Sequence, residues 1–187
     1  MPFAYYKRLT PTQKKIYDKS DSVSFVNLPQ PERFQPYLEA ISKTLATGNR
    51  SGTEFATQEF VSILTRIFGV PPVKVRVLER RPSQRWGELH GLYERGNRLQ
   101  SSRITVWMRT AKREQVVVFK TFLRTLLHEV MHHLDYTYLR LGNSFHTEGF
   151  YKRESSLLKQ LFKTPSPYKG EGWGEVSPTL TPSPESR

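Results

Sequence analysis

The sequence predicts an α+β fold, with helices packed on a small, mainly three-stranded twisted sheet. Two observations lead there. Apolar residues recur at helical spacing on both sides of a central region, residues 73–110, in which the period drops to two. The longest helical stretch, starting near Gln115, carries three of the five histidines within six residues.

The elements follow in order. Thr10-Pro11 ahead of Thr12-Gln13-Lys14-Lys15-Ile16-Tyr17 has the form of an N-cap with proline at the first helical position. This short basic helix is expected to end by Ser20-Asp21, and a connector runs to Pro29-Gln30-Pro31. Phe34, Tyr37, Leu38, Ile41 and Leu45 mark a second helix, stopped by Gly48-Asn49. Thr53 is placed to cap a third, with Phe55, Phe60, Val61, Leu64 and Ile67 apolar up to Phe68-Gly69. Val73, Val75 and Val77 then alternate with Lys74, Arg76 and Leu78 as a half-buried strand that breaks at Pro82-Ser83. Leu89 to Glu94 and Arg103 to Thr110 are the other two strands. A long helix is expected from Gln115 to Leu141, ended by Gly142-Asn143, and a last one from about Thr147 to Phe162. In domain terms, residues 1–33 form an N-terminal extension and 34–164 the folded unit. Residues 165–187, rich in Pro, Ser and Gly, are expected to be a disordered tail.

The chain has no cysteine, which removes disulfides, thiolate metal sites and cysteine nucleophiles. Neither a secretory signal nor an apolar run of the roughly 18 residues needed to cross a membrane is visible, so a soluble, cytoplasmic monomer is expected. The formal charge is +12, and residues 71–125 hold thirteen Lys and Arg against four acids. Such a block either forms a solvated surface or attracts polyanions. Trp86, Tyr93 and Trp107 lie among those charges, a mixture suited to single-stranded nucleic acid.

The chemistry concentrates at His128-Glu129-Val130-Met131-His132. Residues four apart on a helix lie ~40° apart around its axis, so His128 and His132 face the same way and can take two corners of a tetrahedral Zn²⁺. Glu129 is placed to reach an activated water without ligating the ion, as a general base must. Leu123, Leu127, Val130 and Leu134 form the stripe that buries the opposite face. Asp135 returns to the ligand side, either as a carboxylate orienting an imidazole or as a solvated acid. His133 and His90 read as structural. A catalytic zinc takes a third protein ligand, for which His146, Glu148 and Glu154 are the candidates. His146 comes first because it follows the expected helix stop, and Glu154 is its main rival. Tyr136, Tyr138 and Tyr151 lie near the site in sequence without an assigned role.

The run Thr125-Leu126-Leu127-His128-Glu129-Val130-Met131-His132, with a helix stop near Gly142 and then His146-Thr147-Glu148-Gly149-Phe150, resembles the SprT-like (Spartan-type) metallopeptidase domain. The resemblance covers about residues 34–163 in the order of its elements and is specific over 125–150. Thr147 stands where that family usually has glycine, and no cysteine is present for the zinc ribbon that many members carry. The resemblance implies a zincin-like fold and a zinc metallopeptidase with His128, His132 and His146 as ligands and Glu129 as base. Its substrate would be a protein or peptide, including DNA-associated proteins. It also implies an edge strand along the cleft that pairs with extended substrate, a part assigned to Arg103–Thr110. The alternative is a basic nucleic-acid-binding protein whose zinc is structural and closed by four protein ligands, with Asp135, Glu148 or Glu154 as the fourth.

The charge of residues 71–125 generates the first prediction. Binding of single-stranded DNA is expected to be weakly sequence-dependent and to fall steeply between about 50 and 200 mM salt as counterions are released. A fluorescence titration across salt concentrations checks this, and absence of binding at low salt would reduce the charge to a solvated surface.

Overall fold

The computed structural model describes residues 2–84, 87–97 and 99–163. The expected disordered tail, 165–187, and the residues Arg85, Trp86 and Arg98 lie outside the described residues. A 3₁₀ turn at Ala4–Arg8 precedes α1 (Pro11–Ser22), and a second, Pro31–Phe34, leads into α2 (Gln35–Ala46). Then come α3 (Arg50–Ile67), β1 (Lys74–Arg80), the small hairpin β2 (Ser83–Gln84) and β3 (Gly87–Glu88), β4 (Gly91–Glu94) and β5 (Arg103–Arg109). The chain continues through α4 (Phe119–Thr137) and α5 (Glu148–Phe162). The architecture is therefore α+β with a three-stranded sheet. Among the described residues no helix is long and apolar enough to cross a membrane.

Local chemistry explains most boundaries. Thr10 and Gln13 form a full capping box at the start of α1, with Pro11 at the first helical position. Gly48 and Gly69, at φ +66° and +63°, supply the left-handed residue that turns the chain after α2 and α3. The cap of α3 is Asn49, whose side chain accepts from the Gly52 amide at 3.0 Å, and not Thr53. Thr53 lies a turn inside, buried, with its hydroxyl donating to the Asn49 carbonyl. Helix α4 starts four residues later than the periodicity suggests. Gln115 and Val117 are used as extended chain, the Thr110 amide donating to Gln115 O and the Val117 amide to Met108 O. Its end also differs from the expected Gly142 stop. The reversal falls at Arg140, φ +53°, with the Leu139 amide on Leu134 O and the Leu141 amide on Asp135 O. Burial of Leu141 against the body of the protein pulls the chain round before the glycine is reached.

The strand order is β1-β5-β4, with β1 parallel and β4 antiparallel to β5. Arg103–Thr110 is thus the central strand, which corrects its placement at the edge of the cleft. The reason is burial on both faces: Ile104, Val106 and Met108 point into the main core, and Thr105 and Trp107 are covered on the other side. The edge of the sheet beside α4 is β4, whose Tyr93 packs on His132 and His133. The outer edge of β1 is closed by side chains of α3, with the amides of Val75 and Val77 donating to Gln58 and Glu54. Gln58 and Arg50 donate in turn to the carbonyls of Val73 and Val77.

The four acids of the basic window each meet an arginine: Glu79 with Arg109, Glu88 with Arg81, Glu94 with Arg103, and Glu114 with Arg80. Lys74 and Arg76 extend from the exposed face of β1. Of the three aromatics expected to stack bases, the two among the described residues are otherwise engaged. Trp107 is buried, and Tyr93 packs on His132, His133 and Tyr136.

Residues 2–33 pack directly on the rest. Val26 and Leu28 join the main hydrophobic core, and Tyr17 and Ser20 are buried. Helix α1 meets α5 at Gly149, whose amide donates to Asp21 Oδ1 at 2.9 Å. A Cβ at Gly149 would stand 2.4 Å from the Asp21 carbonyl oxygen, a backbone atom that cannot swing aside. Gly149→Ala should therefore push α1 off α5 and cost about 1–3 kcal/mol. Chemical denaturation measures this, and an unchanged midpoint would show that the contact is dispensable.

Candidate metal centre

Helix α4 presents His128 and His132 as the sequence requires. The stripe Leu123, Leu127, Val130 and Leu134 is fully buried, which turns the opposite side, with His128 and His132, towards the loop that precedes α5. That loop brings in His146. Thr147 then caps α5, its hydroxyl accepting from the Phe150 amide at 2.9 Å.

The three rings converge. His146 Nε2 lies 3.0 Å from His128 Nε2 and 3.1 Å from His132 Nε2. A tetrahedral zinc with Zn–N near 2.0–2.1 Å keeps its ligand nitrogens about 3.3 Å apart, so the cluster fits such an ion after opening by a few tenths of an ångström. These three are the group of His, Asp and Glu side chains close enough together to hold a metal among the described residues. Phe150 packs on all three imidazoles, and Tyr151 lies against His128 and His146.

The other ring nitrogens face away and are held. His128 Nδ1 is 2.9 Å from Glu154 Oε2, whose other oxygen meets Arg124. His132 Nδ1 is 2.7 Å from Ser144 Oγ, and that hydroxyl donates to Asp135 Oδ2 at 2.8 Å. An imidazole whose Nδ1–H is given to an acceptor presents a lone pair at Nε2, the form a metal needs. The rival ligands are therefore placed elsewhere. Glu154 sits behind His128, and Glu148 forms an exposed pair with Lys152. Asp135 is buried and not a solvated acid, and it reaches His132 through Ser144. His133 is structural, its nitrogens meeting Tyr93 Oη and Pro71 O. His90 lies just before β4 and is exposed.

Burial lowers the affinity of His132 for a proton well below the ordinary value, with the charge of neighbouring His128 and His146 adding to the effect. The same causes, burial and then His128, push His146 down to about 4. His128 goes the other way: burial opposes its protonation, but Glu154 and Glu129 outweigh it. Two of the three rings are thus neutral near pH 7 and need give up no proton to a metal. Burial raises Glu129 to about 7, aided by Glu154 and opposed by His128 and the Tyr93 amide.

Glu129 rests against the start of β4, near the Tyr93 amide. Gly91 makes that approach possible, since a Cβ there would lie 2.4 Å from Glu129 Oε1. Gly91, Ser144 and Arg153 escape a reading of the sequence, because each acts on a partner from another element. An isolated glycine inside a strand pattern was the one visible signal, and it marks a close approach.

No protein-family model, curated protein or solved structure matches this chain.

The geometry ranks the ligands. His128→Ala, His132→Ala and His146→Ala should each abolish or strongly weaken metal binding. Glu154→Ala should reduce affinity by about 10–100-fold at most, as expected for an outer partner. Metal retention after dialysis measures the ranking. Loss of metal from Glu154→Ala with retention by His146→Ala would reverse the assignment of the third ligand.

Proposed function

We propose that this chain is a zinc-dependent metallopeptidase of the SprT-like, zincin kind. The observation that carries the reading is the convergence of His128, His132 and His146 through Nε2, with Glu129 beside the first ligand on the same helix. Three nitrogen ligands suit zinc and leave one position of a tetrahedron for water or substrate. The reading in which the zinc is structural needs a fourth protein ligand. Its three candidates are committed elsewhere: Glu154 to His128 Nδ1, Glu148 to Lys152, and Asp135 to Ser144 and Arg153.

When bound, zinc supplies a Lewis acid and lowers the pKa of water towards about 7. Glu129 takes the proton of the attacking water and delivers it to the leaving amine. Gly91 leaves the room in which that carboxylate waits. The extended substrate, first expected on Arg103–Thr110, falls to β4, and pairing through its main chain makes recognition only loosely dependent on sequence. The basic surface around β1 is where a DNA-associated substrate or its nucleic acid would be drawn in.

The test is metal content together with hydrolysis of an unstructured protein. About one zinc per chain is expected. Glu129→Gln should keep the zinc and lower hydrolysis by about 10²–10⁴-fold. Gly91→Ala, which displaces the same carboxylate, should follow it. Loss of zinc from Glu129→Gln to the extent seen in the histidine variants would overturn the role of base.

A further inference from the structure

We infer that Ser144 is a positioning residue for the metal centre, its hydroxyl fixed by Asp135 and, through Arg153, by the end of α1, so that His132 is held with Nε2 towards the metal. The inference rests on the metal-binding reading of the three histidines and extends it to residues that no spacing rule marks.

The chain of contacts is continuous and mostly buried. Arg153 and Asp135 are both fully enclosed and paired at 2.8 Å. Arg153 also donates to the carbonyls of Ser20 and Val23 and to the Ser20 hydroxyl, all at the C-terminal end of α1. With Arg153 on one carboxylate oxygen, Asp135 presents the other to Ser144 at 2.8 Å. A serine hydroxyl has one proton to give. Given to Asp135, it leaves Oγ as an acceptor, so the 2.7 Å contact with His132 must carry the Nδ1 proton. The ring's tautomer and its rotation about the helix are then both set. Asp135 follows His132 by three residues on the same helix, and Ser144 supplies the link between its carboxylate and the imidazole.

The same residue bears on the third ligand. Ser144 lies two positions before His146, so the hydroxyl that orients one ligand also ties down the loop that delivers another. That loop is held from the N-terminal side as well, where Tyr5 Oη donates to the His146 carbonyl at 2.9 Å and Ser20 Oγ meets Thr147 Oγ1 at 3.4 Å. Helix α1 is thus part of the scaffold that sets the metal geometry.

The experiment uses the full chain as wild type, Ser144→Ala and Ser144→Thr. Zinc affinity is read by competition with a chromophoric chelator, the visible spectrum of the cobalt(II) form reports ligand geometry, and melting of the metal-free protein controls for folding. Ser144→Ala should weaken zinc about 10–100-fold and shift the cobalt bands, beyond what the loss of one buried hydrogen bond takes from the metal-free melting temperature. Ser144→Thr, which keeps the hydroxyl, should restore both. Wild-type affinity and an unaltered cobalt spectrum in Ser144→Ala would overturn the inference and leave the hydroxyl as a loop tether. Failure of threonine to restore either property would remove the hydroxyl as the cause. If the wild-type chain takes up neither metal, the metal reading itself falls and this inference with it.

Discussion

The ion pair between Arg153 and Asp135 is the constraint around which this molecule is organised. Both side chains are withdrawn from water, and two charges are costly to bury unless their remaining donors and acceptors are satisfied. Here they nearly all are. The carboxylate takes Arg153 and Ser144, and the guanidinium spends its other protons on Ser20 and Val23, leaving Arg153 Nε without a partner. The pair fixes where α4 and α5 lie against each other. It also captures the end of α1, because carbonyls at a helix C-terminus have no partner within their own helix. An apolar substitute could fill the space, but it could not specify which carbonyls and which hydroxyl meet there.

The two histidines that α4 gives to the cluster are supported in different surroundings. Glu154 behind His128 is approached by Arg124, which is about half exposed, at 44%. Ser144 behind His132 leads inward to a pair that solvent does not reach. Screening by water and salt weakens the first support and leaves the second nearly untouched. The cluster therefore has one histidine with an adjustable setting near the surface and one fixed by the interior.

What the sequence disclosed was what is local. Two histidines four apart on an amphipathic helix, and the glycines that turn the chain after α2 and α3, depend on neighbours within a turn or so. The pattern of residues supplies them directly. His146 was legible because it follows shortly on the metal helix, although the turn comes at Arg140 and not at the glycine. The central place of β5 was hidden because Thr105 and Trp107 alternate with Ile104, Val106 and Met108, the pattern of a strand with one open face, while tertiary packing covers them. Ser20 and Arg153 are 133 residues apart, and neither type announces a partner at that distance. Asp135 was placed on the correct side of the helix, but a hydroxyl supplied by a later loop decides what it touches. The family resemblance in residues 125–150 added a reading of function that the fold alone does not carry.

The sealing of β1 by α3 has a consequence for how copies of this chain behave when crowded. Unpaired strand edges are the templates on which proteins join strand to strand, and the usual defences are charge, proline or a bulge. Here Gln58 and Glu54 imitate a neighbouring strand: the first offers its amide in both senses to Val73 and Val75, and the second accepts from Val77. A flank that already has its counterfeit partner has nothing to offer a genuine one. The sheet is closed on that side to fibril-like growth while remaining only three strands wide, which lets a small, strongly basic protein keep an ordinary hydrophobic strand at its margin.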